Sequence, residues 1–233
     1  MLKLDGLDPF GIGGRRLCFV HPHDPNRCVK VLRRDERRTT RITSKRRIIP
    51  NRFRREYNNN DHEQKELEAL HRRISDAMRE HLPKSYGIEP TDMGPGLVLD
   101  LVRDDNGSIA RSLRELITKK HPPSEFKPAF DEFSAFLLKH VILTRGLHDH
   151  NLVAQRRGDG WRLYLIDGLG DPAWLPLSRW VAAISRRRIR KRIALAWPKI
   201  QAFAETGGVT DEMLANSNWG QGFLRHRGEC DAD

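Results

Sequence analysis

The stretch Ile142–Gly170 reads ILTRGLHDHNLVAQRRGDGWRLYLIDGLG. Its left part, Leu147-His148-Asp149-His150-Asn151, is a polar turn that runs into an apolar strand signal at Leu152-Val153. Its right part, Trp161 to Ile166, is a second strand signal that ends on Asp167 and Gly168. A loop delivering an asparagine and a strand delivering an aspartate can set two oxygen ligands around one Mg²⁺, an ion that demands hard oxygen donors. Taken alone, the plainer reading is a β-hairpin whose turn is polar. The rest of the chain has to decide between the two.

At 233 residues the chain is long enough for one large domain or two small lobes with cores of their own. Hydrophobic residues make up 38% of it, and it holds no apolar run of about 18 residues, so no transmembrane segment is expected. The start, MLKLDGLDPF, lacks the basic-then-apolar order of a secretory leader. Cys18, Cys28 and Cys230 show no CxxC spacing, which argues for a reducing compartment and against structural zinc. A cytoplasmic location is the expectation. The 42 Lys+Arg against 31 Asp+Glu give a net charge of +11. Such a field favours anionic partners: nucleic acid, an acidic membrane surface, or a phosphorylated small molecule.

Residues 2–32 read as strands interrupted by a glycine loop. Phe10-Gly11-Ile12-Gly13-Gly14 lies between an alternating segment and Leu17-Cys18-Phe19-Val20, and Arg27–Leu32 is a strand again after the turn formers at 21–26. Glycines there let backbone N–H groups approach a phosphate because no Cβ intervenes, though a plain turn would use them too. Lys30 lies inside an apolar strand, where an ammonium costs several kcal/mol unless it is paired. Either a buried partner exists or the strand is an edge with Lys30 in water. Arg33–Arg55 is a basic, loop-like insert. After the cap signal Asn58-Asn59-Asn60-Asp61, a helix carries Leu67, Leu70, Ile74, Ala77 and Met78 on one face. Glu63 on that helix is the carboxylate that a buried Lys30 would need.

Pro83–Thr91 and Gly96–Arg103 read as strands, and Ile109–Lys119 as a short amphipathic helix. A longer helix after Pro122-Pro123-Ser124 carries Phe130, Phe133, Phe136, Leu137, Val141 and Ile142 as a packing stripe. Beyond Gly170 comes a loop and then a basic helix over about 177–203. Its Arg186–Arg192 cations could lie on an acidic surface or simply be solvated. From about Gly207 onward we expect a weakly structured tail with a short helix near 211–215.

This order of parts resembles the protein-kinase-like fold: strand, glycine loop, two strands with a lysine, helix with a glutamate, two strands, helices, asparagine loop, strand ending in aspartate. More closely, the chain resembles the bacterial YrbL family, named for its membership of the PhoP regulatory network. The residues that carry this likeness are GIGGRRLCFVHP (11–22), RCVKV (27–31), GLVLDLVRD (96–104), and the HNLV and LIDGLG blocks (150–153 and 165–170). It extends over about residues 2–195.

The resemblance implies an α+β, two-lobed protein-kinase-like fold, with a small antiparallel-sheet N-lobe and a mainly helical C-lobe. The kinase-like domain would span 1–205, with the N-lobe at about 1–103 carrying the basic insert 33–55 and the C-lobe at about 104–205; 206–233 would be the tail. It also implies ATP and Mg²⁺ as cofactors. Gly11 and Gly13 then resemble the first two glycines of the nucleotide loop, with Arg16 in the place of the third. Lys30 resembles the lysine that holds the phosphates and Glu63 its ion-pair partner. Gly96–Leu101 is similar to the run whose backbone receives adenine, Asn151 to the catalytic-loop metal ligand, and Asp167 to the main Mg²⁺ carboxylate.

The segment TRGLHDHN (144–151) is similar to the HGDLHPGN loop of small-molecule kinases such as aminoglycoside phosphotransferases. It departs from that loop at one decisive point: Gly146 stands where the catalytic aspartate should be. Asp149 is the substitute base on offer, and His148 matches the histidine that braces the loop. The expectation is a nucleotide-binding regulatory protein with weak or absent phosphotransfer. The alternative is an active atypical kinase acting on a small-molecule or membrane-surface sugar substrate. Behind both stands a non-enzymatic binder of nucleic acid or acidic lipid.

Overall fold

The computed structural model describes residues 1–13, 15–33, 59–170 and 182–208. The basic insert from residue 34 and the helix expected near 211–215 lie outside the described residues. The chain divides into two compact units: Met1–Ala69 with Lys84–Leu101, and Leu70–Pro83 with Val102–Asp211.

The first unit is built on a five-stranded antiparallel sheet. Its strands are β1 (Gly11–Ile12), β2 (Arg16–His21), β3 (Asp24–Leu32), β4 (Ser85–Thr91) and β5 (Gly94–Asp100), in the order β1-β2-β3-β5-β4. Cys18 stands opposite Lys30, and Lys30 opposite Leu97. Because β3 has a neighbour on each side, the edge-strand reading of Lys30 is excluded. Successive side chains of a strand alternate between faces. Val29 and Val31 therefore join Phe19 and Val98 in an apolar layer completed by Leu2 and Leu4, and Lys30 points the other way. The segment before the glycines is not the alternating strand expected of it. Leu2 makes a single bridge with Thr91, and the Leu4 and Asp5 N–H groups are held by the Asp92 carboxylate instead of by a ladder.

Helix α1 (Asn59–Ile74) lies on the Lys30 face, burying Asn60, Glu63 and Leu67. Its opening asparagines and Asp61 favour a start, and His71, Arg72 and Arg73 complement the dipole at its end.

In the second unit, β6 (Arg111–Ser112), β7 (Leu152–Arg157) and β8 (Gly160–Leu165) form an antiparallel sheet. The remainder is helical: α2 (Leu113–Thr118), α3 (Lys127–Lys139) and α4 (Ala182–Glu205). The helix expected over Ile109–Lys119 starts later because Arg111 and Ser112 pair with Ala154 and Val153. The Ser112 hydroxyl then caps α2 by accepting from the Glu115 N–H at 3.3 Å.

The core of this unit is aromatic. Phe126, Phe130, Phe133 and Leu137 are buried, as are Leu163 and Leu165 of β8. The packing stripe expected to run to Ile142 breaks at Lys139. There the chain leaves the helix through a left-handed residue, Val141 at φ 49°, and Ile142 N–H closes onto the Leu137 carbonyl at 2.9 Å. A β-branched residue in that conformation costs about 1–2 kcal/mol, and Arg73 helps by donating to the His140 carbonyl at 2.7 Å.

His81 ties residues 70–83 into this core. It is 1% exposed, its Nδ1 lies 2.8 Å from the Leu163 carbonyl, and its ring packs on Phe133 and Phe136. Burial lowers its pKa below the ordinary 6.5. The native imidazole is therefore neutral where the unfolded one takes up a proton. The unfolded chain binds more protons below about 6.5, so stability falls as pH drops through that value. His140 and His148 are shifted the same way. We expect the melting temperature to fall between pH 7 and pH 5, and to fall less in His81→Gln relative to that variant's own value at neutral pH.

Candidate functional site

In the first unit the sequence-derived pair is formed. Lys30 Nζ donates to Glu63 Oε1 at 2.8 Å, with both side chains buried. Glu63 Oε2 accepts a second cation, the Arg16 guanidinium, which is also buried. Arg16 occupies the place of the third glycine, and the register explains its arrival. Cys18 faces Lys30, so Arg16, two residues away on the same face, is the diagonal neighbour of Lys30. Asn60 completes the cluster. Its amide donates to the Lys30 carbonyl at 2.7 Å, and its oxygen lies 3.5 Å from Arg16. Sequence reading took Asn60 for a cap signal and Arg16 for a departure from pattern. Arg16 is a direct partner of Glu63, and Asn60 joins the cluster through Arg16 and the Lys30 backbone.

Gly11 and Gly13 flank the turn between β1 and β2. Gly11 pairs with Cys18, and the Gly13 N–H donates to the Arg16 carbonyl at 2.8 Å. Gly14 lies outside the described residues. Cys28, on the Lys30 face of β3, is a packing residue: burial pushes its thiol up to about 12.

In the second unit the opening stretch is a hairpin and more. β7 and β8 pair through Arg157 and Gly160. A second, shorter pairing joins the loop before β7 to the segment after β8. Thr144 bridges Leu169, the Arg145 N–H donates to the Gly168 carbonyl at 2.7 Å, and the Gly170 N–H donates to the Leu143 carbonyl at 3.0 Å. The Ile166 N–H donates to the Asn151 carbonyl at 3.0 Å, which sets Asn151 beside the Asp167-Gly168 turn. Gly168 has φ +90°, and a Cβ there would meet the Asn151 amide at 3.3 Å. Glycine at 168 is thus needed twice, for its backbone and for the room it leaves.

Asp167 is half-exposed, and its Oδ1 accepts from the Gly168 N–H at 2.6 Å. Arg145 stands 3.6 Å from the same oxygen, and Arg192 donates to the Arg145 carbonyl. Among the described residues, no three His, Cys, Asp or Glu side chains cluster as a metal-only cage would require. Asp167 and Asn151 are hard oxygen donors on adjoining turns. They suit an ion that completes its shell with water and a ligand's phosphates, as Mg²⁺ does.

The geometry reverses the expected division of labour between Asp149 and His148. Asp149 is 6% exposed, and Arg114 grips both its oxygens at 2.7 and 2.6 Å. Burial alone would raise its pKa. The His150 ring 3.5 Å from Oδ1 and the Arg114 fork overcome that and hold it at about 2. Such a carboxylate has little affinity for a proton, and its role is to brace the loop against α2. His148 is the exposed residue, stacked on His150 at 5.2 Å. Its ring covers Gly146: a Cβ at that position would lie 2.6 Å from His148 Nε2. A side chain at 146 would require the exposed His148 ring, stacked on His150, to turn aside. Desolvation, then the charge of His150, lower the His148 pKa, so the ring is neutral at pH 7.

A family described as PhoP regulatory network protein YrbL matches the chain over residues 2–201. The chain belongs to the YrbL family. It is 25% identical over 206 residues to YrbL of Escherichia coli (strain K12) and to YrbL of Shigella flexneri, covering 82% of this chain and 86% of each of those proteins. Among solved structures it is similar to the Mycobacterium tuberculosis PknI kinase domain in a single-mutant form (TM-score 0.48, 15% identity, 86% of this chain, 73% of that one). It is similar also to the double-mutant form (TM-score 0.48, 15% identity, 90% of this chain, 79% of that one).

Two outcomes follow from this YrbL-family geometry. Glu63→Gln removes the charge that compensates Lys30 and Arg16. We expect it to lower stability by about 3–5 kcal/mol in urea denaturation, the range for breaking a buried ion pair. Gly146→Asp drives a side chain into His148 and should lower the melting temperature, with much of the loss recovered in Gly146→Asp/His148→Ala.

Proposed function

We propose that this YrbL-family protein is a regulatory, kinase-like protein that binds ATP with Mg²⁺ and transfers phosphate weakly or not at all. The observation that carries the reading is the buried Lys30–Glu63 pair. Burying two charges costs several kcal/mol per ion before their attraction repays it. An apolar strand partner would pack there at no such penalty, so the retained ammonium points to a ligand of opposite charge. In this reading Lys30 holds phosphate oxygens, Glu63 orients it, and the backbone at Gly11 and Gly13 lines the same ligand. In the second unit Asp167 and Asn151 would hold Mg²⁺, which when bound neutralises phosphate charge. Gly146 supplies no carboxylate to orient an attacking hydroxyl, and Asp149 is committed to Arg114.

A second reading, transfer to a hydroxyl of a small molecule, is favoured by one feature: the exposed, neutral imidazole of His148 above Gly146. There the substrate oxygen would attack the terminal phosphorus of ATP as its proton passes to His148, while the bond from that phosphorus to the bridging oxygen breaks and ADP leaves with the electron pair. A general base of this kind contributes about 10²–10⁴-fold.

One experiment addresses both. Thermal melting of the full chain should shift upward with ATP and Mg²⁺, by about 2.7 kcal/mol of added stability at roughly 100 times Kd. Asp167→Asn should lose the Mg²⁺-dependent part, and Lys30→Met the response to ATP, each measured against its own ligand-free melt. A wild type indifferent to ATP with Mg²⁺ sinks the binding reading. ATP turnover in the same samples that is unchanged in His148→Ala removes the second.

A further inference from the structure

We propose that the outward face of α4 is a docking surface for an anionic phospholipid bilayer. Among the described residues helix α4 is held on the second unit by one stripe: Ser185, Ile189, Ala196 and Ile200 are its buried residues. Trp197 packs on Phe130 with ring centroids 5.0 Å apart, and Arg114 covers Phe203 at 5.0 Å. That anchoring fixes which side faces out. Residues three and four apart share a helix face. On this helix Ile184, Arg187, Lys191, Leu195 and Pro198 follow those steps, and all are exposed.

Within the helix itself this face carries cations and no acid. The helix reads Arg186-Arg187-Arg188-Ile189-Arg190-Lys191-Arg192 across its first half and holds no acid before Glu205, its last residue. Among the described residues Arg186, Arg187, Arg190 and Lys191 make no ion pair. Exposed cations usually find carboxylates within a turn or across an interface. Four that find none form a field complementary to a sheet of phosphates.

Two apolar residues choose bilayer over nucleic acid. Ile184 is 39% exposed and Leu195 is 51% exposed, the latter among the most exposed large apolar side chains described. They sit one or two turns to either side of Arg187 and Lys191 on the same face. An interfacial helix pairs such side chains, sunk at the acyl boundary, with Lys and Arg at headgroup level. A nucleic-acid surface would gain nothing from them, and the face presents no aromatic ring for base stacking. Arginine stems can cover apolar surface while their heads stay in water, so the face can settle on a bilayer without leaving its own core. The surface belongs to α4 alone and does not depend on nucleotide binding.

The test is co-sedimentation of the full chain with phosphatidylglycerol–phosphatidylcholine vesicles and with phosphatidylcholine vesicles. Binding to the first set only is expected, weakening with salt. Each cation removed in the series Arg187→Gln, Arg190→Gln, Lys191→Gln should weaken it about fivefold. Ile184→Ser/Leu195→Ser should lower the part that survives high salt. Lys65→Gln/Arg72→Gln removes two exposed cations from α1 and should leave binding in place, which separates this face from net charge. All these positions are exposed, and a melting curve for each variant verifies its fold. Equal binding to both vesicle types, binding unchanged by the α4 series, or capture of duplex DNA or RNA in preference to vesicles would overturn the proposal.

Discussion

Glu63 is enclosed with two cations, and the first unit can exist only in arrangements that keep all three together. A carboxylate, an ammonium and a guanidinium removed from water are costly singly and tolerable as a set. The set closes only if β2 and β3 pair in the register that puts Cys18 opposite Lys30, and only if α1 presents Glu63 to the sheet. A slip of one residue in β3 would turn Lys30 into the layer of Phe19, Val29 and Val98 and bring a valine to the carboxylate. Asn60 adds a geometric check, because its amide reaches the Lys30 carbonyl only when the first turn of α1 lies over that residue. The charged cluster therefore specifies the sheet as much as it stabilises it.

The second unit reaches its own fixed arrangement by other means. An aromatic core from α3 and His81 positions β7 and β8, and a strained exit at Val141 aims the chain at the 143–146 loop. Two local devices then set that loop: backbone pairing with residues 168–170, and the Asp149–Arg114 fork. Both leave Asn151, His148 and Asp167 on accessible turns while the acids and bases that hold them are consumed. Accessible and structural side chains are thus sorted by burial, not by residue type. That is why the aspartate of the loop is a brace and the histidine is the group left free to meet solvent.

Family membership and geometry speak to different levels. Membership in the YrbL family covers nearly all the described chain, and the fold is α+β with antiparallel sheets. Neither level carries a reaction. At Gly146 the His148 ring lies over the backbone, 2.6 Å from where a Cβ would stand.

Much of this was legible in the sequence because it depends on local pattern. The Phe130–Leu137 stripe and the Asn151 and Asp167 turns follow from spacing, the α+β class was what the resemblance implied, and the cost of burying charge gave Lys30 a partner only if its strand was not an edge. Glu63 could be named as that partner because a helix of the right length carried it. Tertiary structure alone decided the rest. Arg16 joins Glu63 through strand register, which sequence spacing does not disclose. Arg114 claims Asp149 from 35 residues away, turning the obvious acid into a strut. His148 covers Gly146 because of a loop path set by pairing with residues 168–170. Sequence determined which groups would have to be satisfied; the fold decided by which neighbours, since a partner distant in the chain is chosen only when packing brings it near.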